Sequence, residues 1–215
     1  MTEASLVVQE SELDRVRELT NIGAGHAATA FAALVGRPCR MRVPTVRLLR
    51  PDAAGSAFVA SSRDDERGPL CGIFFEVEGG VGGILALLFP APARDVLLRA
   101  LAGESVSREA AESALREVGN ILISHAVSAI ADTLGTRVLP SIPVLAMDDA
   151  ASALASLVAL RGIGGGALRI ETEISDAEGE FRGLLVFVPD AACLARPEPE
   201  RRGPVRVRPL RRSES

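Results

Sequence analysis

Residues 14–21 read DRVRELTN, and 99 positions further on residues 113–120 read SALREVGN. Each octet leads through a run of small residues to a proline. Asp14, Glu18, Asn21 and Pro44 fall on Ser113, Glu117, Asn120 and Pro143 at that same offset. Between positions 14 and 44, 10 of 31 residues are identical without a gap, and they include His26 and His125, the only histidines of the chain. A helix-and-strand unit repeated at half the chain length means two related halves, and this decides the fold class.

Working outward, the signals repeat in order. Ser11 is placed to cap the first helix, with Asp14 three residues later in a capping-box-like pattern, and Gly36 and Pro38 stop it near Val35. Gly23 and Gly25 lie inside, each costing about 1 kcal/mol against Ala, which implies a close approach by another backbone or a partner. Strands are expected at 42–49 and 57–61, a loop at 63–68, and a hairpin of 70–78 and 82–89 around Gly79-Gly80. A helix over 93–102 ends at Gly103. In the second half Ser107 caps a helix that ends at Gly135. Strands follow at 138–147 and 154–160, then a turn at 162–166, a hairpin of 167–175 and 181–188, and at most one helical turn at 191–194. The expected fold is α+β with a pseudo-two-fold axis: one antiparallel sheet of about six strands flanked by two long helices. The domain spans 1–195, with repeats at 11–103 and 107–194, followed by a Pro- and Arg-rich tail at 196–215 expected to be disordered.

Composition narrows the function classes. Hydrophobic residues make up 47% of 215, enough for a substantial core, while Trp, Tyr and Lys are absent and all 24 cations are Arg. Residues 1–195 carry 17 Arg against 25 acids, and 196–215 carry 7 Arg against 3 acids. An acidic body argues against nucleic acid, which calls for a basic face, and the basic tail reads as a solvated segment. Cys39, Cys71 and Cys193 are odd in number and lack CxxC spacing, so they read as reduced thiols with no zinc site. No apolar run reaches the ~18 residues of a membrane span, and the first residues are acidic where a signal peptide is basic. A cytoplasmic protein is expected, without membrane contact, and an internal dyad makes a monomer the default.

The chemistry lies in the repeated polar positions. At about 100° per residue, positions i, i+4 and i+7 fall within roughly 60° of one another. Asp14, Glu18 and Asn21 therefore form one ridge, with Val16 and Leu19 on the opposite side to anchor the helix. Ser113, Glu117 and Asn120 form the second ridge, backed by Leu115 and Val118. One such ridge is an ordinary solvated helix face. Its retention in both halves, with Asn mid-helix where it is a poor former, points to function.

The pattern D/S-x3-E-x2-N-x22-P, present twice, resembles the active-site signature of the CheC/CheX/FliY family of chemotaxis phosphatases. NIGAGHAATAFAALVG (21–36) is similar to the family's first helix and GNILISHAVSAIADTLG (119–135) to its second, and the likeness extends over residues ~10–190. Two copies in one chain match the CheC-like arrangement, whereas CheX-like chains carry a single functional site. The resemblance implies hydrolysis of the aspartyl phosphate of a CheY-like response regulator. Asn21 and Asn120 orient the attacking water, and Glu18 and Glu117 anchor a basic group of the regulator. Asp14 and Ser113 support the contact, and Pro44 and Pro143 fix the start of the strand. It implies no cofactor beyond the Mg²⁺ held by the regulator, and the receptor deamidase CheD as a second partner. A binding module that sequesters the phosphorylated regulator or CheD with little catalysis is the alternative.

Other motifs carry less. His26 and His125 sit about 100–140° from the ridges. They either pack and cap, or flank the sites and titrate, or meet near the dyad; a two-His metal site lacks further ligands. The family resembled usually has Asn where His26 stands, so His26 is a departure from it. GIGGG at 162–166 lacks the lysine of a phosphate loop, so it reads as a flexible connection.

Overall fold

The computed structural model describes residues 10–48, 69–104, 106–163, 168–179, 181–190 and 193. Helix α1 (Glu10–Val35) opens the described chain and stops where Gly36 takes φ +67°. Ser11, the expected cap, therefore lies just inside the helix. The chain then returns as an edge strand in two pieces, β1 (Cys39–Met41) and β2 (Thr45–Leu48). The hairpin β3 (Leu70–Gly79) and β4 (Gly83–Pro90) follows, then α2 (Ala91–Ala102). Helix α3 (Arg108–Leu134) starts as expected: the Ser107 hydroxyl accepts from the Ala110 N–H, and Gly135 at φ 59° closes the far end. A second broken edge strand, β5 (Val138–Pro140) and β6 (Val144–Ala146), leads to α4 (Ala150–Leu160) and the hairpin β7 (Leu168–Asp176) and β8 (Arg182–Pro189).

The strand order is β1-β7-β8-β4-β3-β5, with β2 also on β7 and β6 also on β3, all antiparallel. Eight strands thus occupy six positions, because each edge strand is broken at its proline: the strand expected at 138–147 is split at 141–143, and the one expected at 42–49 begins only at Thr45, with β1 lying ahead of it. The halves are interlocked. The edge strand of each half pairs with the hairpin of the other, and the hairpins join through β4 and β8 at the centre, from Gly83 opposite Pro189 to Leu88 opposite Leu184. Neither half closes its own sheet.

Both sheet faces are covered. Val16, Leu19, Phe31, Leu115, Val118 and Leu122 from α1 and α3 pack on Ile73, Phe75, Leu85, Leu87 and Phe187. On the other face Ala150, Leu154 and Val158 pack on Phe74, Ile84, Leu88, Val186 and Val188. Residues 154–160, expected as a strand, therefore belong to a helix. LASLVAL has no alternation of polarity to separate strand from helix. The deciding signals are the four-residue spacing of the three buried side chains and the Asp149 carboxylate, which accepts from the Ser152 N–H at 3.2 Å. The expected strand at 57–61, the loop at 63–68 and the tail at 196–215 lie outside the described residues, as do most of the expected turns at 162–166 and 191–194.

Candidate functional site: two helix ridges on opposite flanks

Asp14, Glu18 and Asn21 on α1 are all exposed, as are Ser113, Glu117 and Asn120 on α3. Behind them Val16, Leu19, Leu115 and Val118 are 3%, 6%, 0% and 1% exposed. The apolar side fixes each helix against the sheet and leaves its ridge in water. The side chains of Glu18, Asn21, Glu117 and Asn120 make no hydrogen bond or ion pair with any described residue. The surrounding charge is internally matched instead. Arg17 pairs with Asp14 at 2.7 Å, while its counterpart Arg116 reaches back to Glu112 at 3.4 Å because Ser113 offers no carboxylate. Both ridges thus carry a neutralised arginine at the same position, paired to a residue of the ridge on α1 and to one outside it on α3.

Two glycines set the height of the helices. A Cβ on Gly23 would lie 2.8 Å from Ile130 Cδ1 and 3.3 Å from the Ala126 carbonyl oxygen, so α1 and α3 cross in contact there. A Cβ on Gly119, beside Asn120, would lie 2.7 Å from Ile73 Cγ2 on β3. At the position equivalent to Gly119, Thr20 is buried and donates its hydroxyl to the Val16 carbonyl at 2.8 Å. Gly25 meets nothing within 4 Å. The expectation of a close approach holds for Gly23 and not for Gly25, whose missing side chain leaves space open.

These contacts orient the ridges. With Asn21 at zero on the wheel, Asp14 and Glu18 fall at about 20° and 60° and Gly23 at about 200°. On α3, with Asn120 at zero, Ala126 and Gly119 fall at about 240° and 260°. Each ridge therefore turns away from the other helix and from the sheet, toward the flank along which the broken edge strand of its own half runs, β1 beside α1 and β5 and β6 beside α3. Pro44 is buried and Pro143 half-buried in those edges. The prolines hold the edge loops and do not stand open beside the amides.

His26 and His125 are exposed and line one groove of about 700 Å³ between α1 and α3, with Gly25, Thr29, Ala30, Ala33, Leu34 and Ile121. They belong to the dyad side of the helices, not to either ridge. Among the described residues no group of three or more His, Cys, Asp or Glu is placed to hold a metal ion, and no helix is long and apolar enough to cross a membrane. Burial pushes the Cys71 thiol up to about 12, and burial with the nearby Asp176 carboxylate raises Cys39. Neither is a ready nucleophile.

A family model described as the CheC-like family matches residues 12–48 and 111–146, the two ridge helices with their edge strands. The chain is also 30% identical over 193 residues to the CheY-P phosphatase CheC of Bacillus subtilis (strain 168), covering 85% of this chain and 90% of that one. The chain belongs to the CheC-like family. Solved structures share the fold. FliY of Thermotoga maritima superposes with a TM-score of 0.65 at 22% identity over 88% of this chain and 94% of that one. CheX of Borrelia burgdorferi, solved with CheY, BeF3 and Mg, superposes with a TM-score of 0.52 at 12% identity over 79% and 97%. This CheC-like chain keeps both Glu and Asn positions of the repeat. The histidines fall as one of the open readings had them, together on the dyad side; two features escaped sequence reasoning, the role of Gly119 and the interruption of each edge strand. For the last, the paired prolines Pro44 and Pro143 at strand centre were the available signal.

Proposed function

We propose that this protein hydrolyses the aspartyl phosphate of a CheY-like response regulator, at two sites related by the internal pseudo-dyad. The observation that supports this best is the pair of ridges. Each presents an amide and a carboxylate that nothing else in the described chain engages, on a helix held rigidly from behind. Membership of the CheC-like family, the name of the Bacillus relative and the CheY-bound CheX neighbour support the same substrate class.

An acyl phosphate is a mixed anhydride and already activated. Hydrolysis needs a water in line with the breaking bond between phosphorus and the aspartyl oxygen. Water oxygen bonds to phosphorus, the bond from phosphorus to the aspartyl oxygen breaks with its electron pair going to the carboxylate, and the water's protons pass to inorganic phosphate and solvent. The regulator would bring its own Mg²⁺ for the developing charge, which leaves this chain to supply position. Asn21 and Asn120 suit the task because a side-chain amide both accepts a hydrogen bond from water and donates one, without a proton to lose near pH 7. Glu18 and Glu117, one turn back on the same face, pair with a basic group of the regulator and set the angle of approach. Asp14 and Ser113 support that contact, and Pro44 and Pro143 hold the neighbouring edge. Most of the rate gain is then orientation, which is worth several powers of ten in favourable cases.

The test is the decay of phosphorylated regulator, followed as inorganic phosphate release with and without the protein. Decay accelerated at substoichiometric protein supports a phosphatase. Decay unchanged while the regulator binds favours the sequestering module, for which the amide has no use. Repeating the assay with CheD present tests that second partner.

A further inference from the structure

We infer that the two edge loops at 42–44 and 141–143 are the docking surfaces for the regulator, gripping it through Val43 and Ile142, and that the site of Asn120 grips the tighter. This rests on the phosphatase reading and extends it to the contacts that hold the substrate.

Val43 is 80% exposed and Ile142 86% exposed, at equivalent positions of the repeat. Only three other large hydrophobic residues among those described are exposed at all, and two of them, Leu139 at 49% and Val144 at 50%, flank Ile142. Scattered apolar side chains on a surface need no explanation. The same tip exposed twice, in halves that have diverged at most surface positions, does.

The tips are also held in place. The Arg42 N–H donates to the Glu173 carbonyl at 3.0 Å and the Ser141 N–H to the Glu76 carbonyl at 2.8 Å, so the residue before each tip is fixed to the neighbouring strand. The residue after each tip is a proline, buried at Pro44 and half-buried at Pro143. A protruding apolar residue between two anchors is preordered, which lowers the entropy lost on binding. The tips lie on the ridge side. From Cys39, four residue steps of at most about 3.3 Å each bring Val43 back level with about Ala27 on α1, between one and two turns beyond Asn21 and within about 10 Å of it along the helix axis. A regulator seated over Asn21 or Asn120 therefore meets the tip of the same flank, and the complementary surface is an apolar patch bordering its phosphorylated pocket. Burying such a side chain is worth on the order of tenfold or more in affinity.

The flanks differ between copies. Leu139 and Val144 beside Ile142 correspond to the exposed Arg40 and Thr45 beside Val43. The second site presents a small apolar patch, and the first presents one apolar tip among polar neighbours. The second should bind more tightly and with less dependence on salt.

The test separates the sites first. The Asn21→Ala background reports the Asn120 site, and Asn120→Ala reports the Asn21 site, each by phosphate release over a range of phosphorylated regulator. In the first background Ile142→Ser should raise KM about tenfold or more with kcat within about twofold. Ile142→Leu should restore most of it, and Leu139→Ser should raise KM independently. In the second background Val43→Ser should raise KM by a smaller factor. All these side chains are exposed, and unchanged melting temperatures check that the fold is intact. An active wild type whose KM is untouched by Ile142→Ser and Leu139→Ser overturns the docking inference alone, as does a loss confined to kcat. A wild type that neither binds nor dephosphorylates the regulator removes the phosphatase reading on which it stands.

Discussion

Gly119→Ala should separate stability from activity in a way that only the observed packing explains. The added Cβ would lie 2.7 Å from Ile73 Cγ2, with Phe75 Cζ at 3.2 Å and Ile73 Cδ1 at 3.3 Å. Ordinary carbon contacts are about 3.5–4.0 Å, so the shortfall is roughly 1 Å. Ile73 is 0% exposed on β3 between β4 and the β5–β6 edge, and its Cγ2 branches directly from Cβ, so it has little room to withdraw. Helix α3 must rise instead, and it carries Asn120 with it. Overpacking of this kind costs about 1–3 kcal/mol, while Gly to Ala in a helix interior returns about 1 kcal/mol. The net loss is about 0–2 kcal/mol, a fall in Tm of at most several degrees at roughly 2–4 °C per kcal/mol. Activity should suffer far more, because a misplacement of ~1 Å can cost about a hundredfold in rate. In the Asn21→Ala background, where only the second site reports, kcat should drop about 10- to 100-fold with KM little changed. A variant that keeps its parent's kcat and gains the full helix-propensity stabilisation would show that the sheet does not set the height of Asn120.

Gly25→Ala is the contrasting case: with nothing within 4 Å of the new Cβ, thermal melting should show a gain of up to about 1 kcal/mol. Leu154→Ala should cost roughly 2–5 kcal/mol by denaturant unfolding, since Leu154 is 1% exposed against the sheet; a loss under about 0.5 kcal/mol would contradict the packing of α4. Cys71, raised to about 12 by burial, should resist thiol reagents at pH 8 until the protein unfolds. Because its folded pKa lies above the unfolded value, the stability it contributes is complete below about pH 9. That contribution is lost as pH rises toward 12, which pH-dependent unfolding of wild type and Cys71→Ala would reveal.

Much of this architecture was legible in the chain. The offset of 99 predicted two helices of like length and a pseudo-dyad, and Ser107 and Gly135 marked the ends of α3 as found. The outward turn of both ridges followed from Val16, Leu19, Leu115 and Val118 alone. The helix at 150–160 was not legible because a short apolar segment satisfies strand and helix equally, and the one cap that separates them here is Asp149. The interlocking of the halves was not legible either, since pairing between distant strands leaves no local periodicity. Gly119 illustrates a further limit: its importance comes from Ile73, 46 positions away in the chain.

The central claim is that Asn21 and Asn120 position the hydrolytic water. The most direct measurement is phosphate release from phosphorylated regulator by Asn21→Ala, Asn120→Ala and the double variant, with regulator binding measured in parallel. Each single variant should retain part of the activity, and the double variant should fall to the regulator's own decay rate while still binding it. Activity in the double variant equal to wild type would contradict the account.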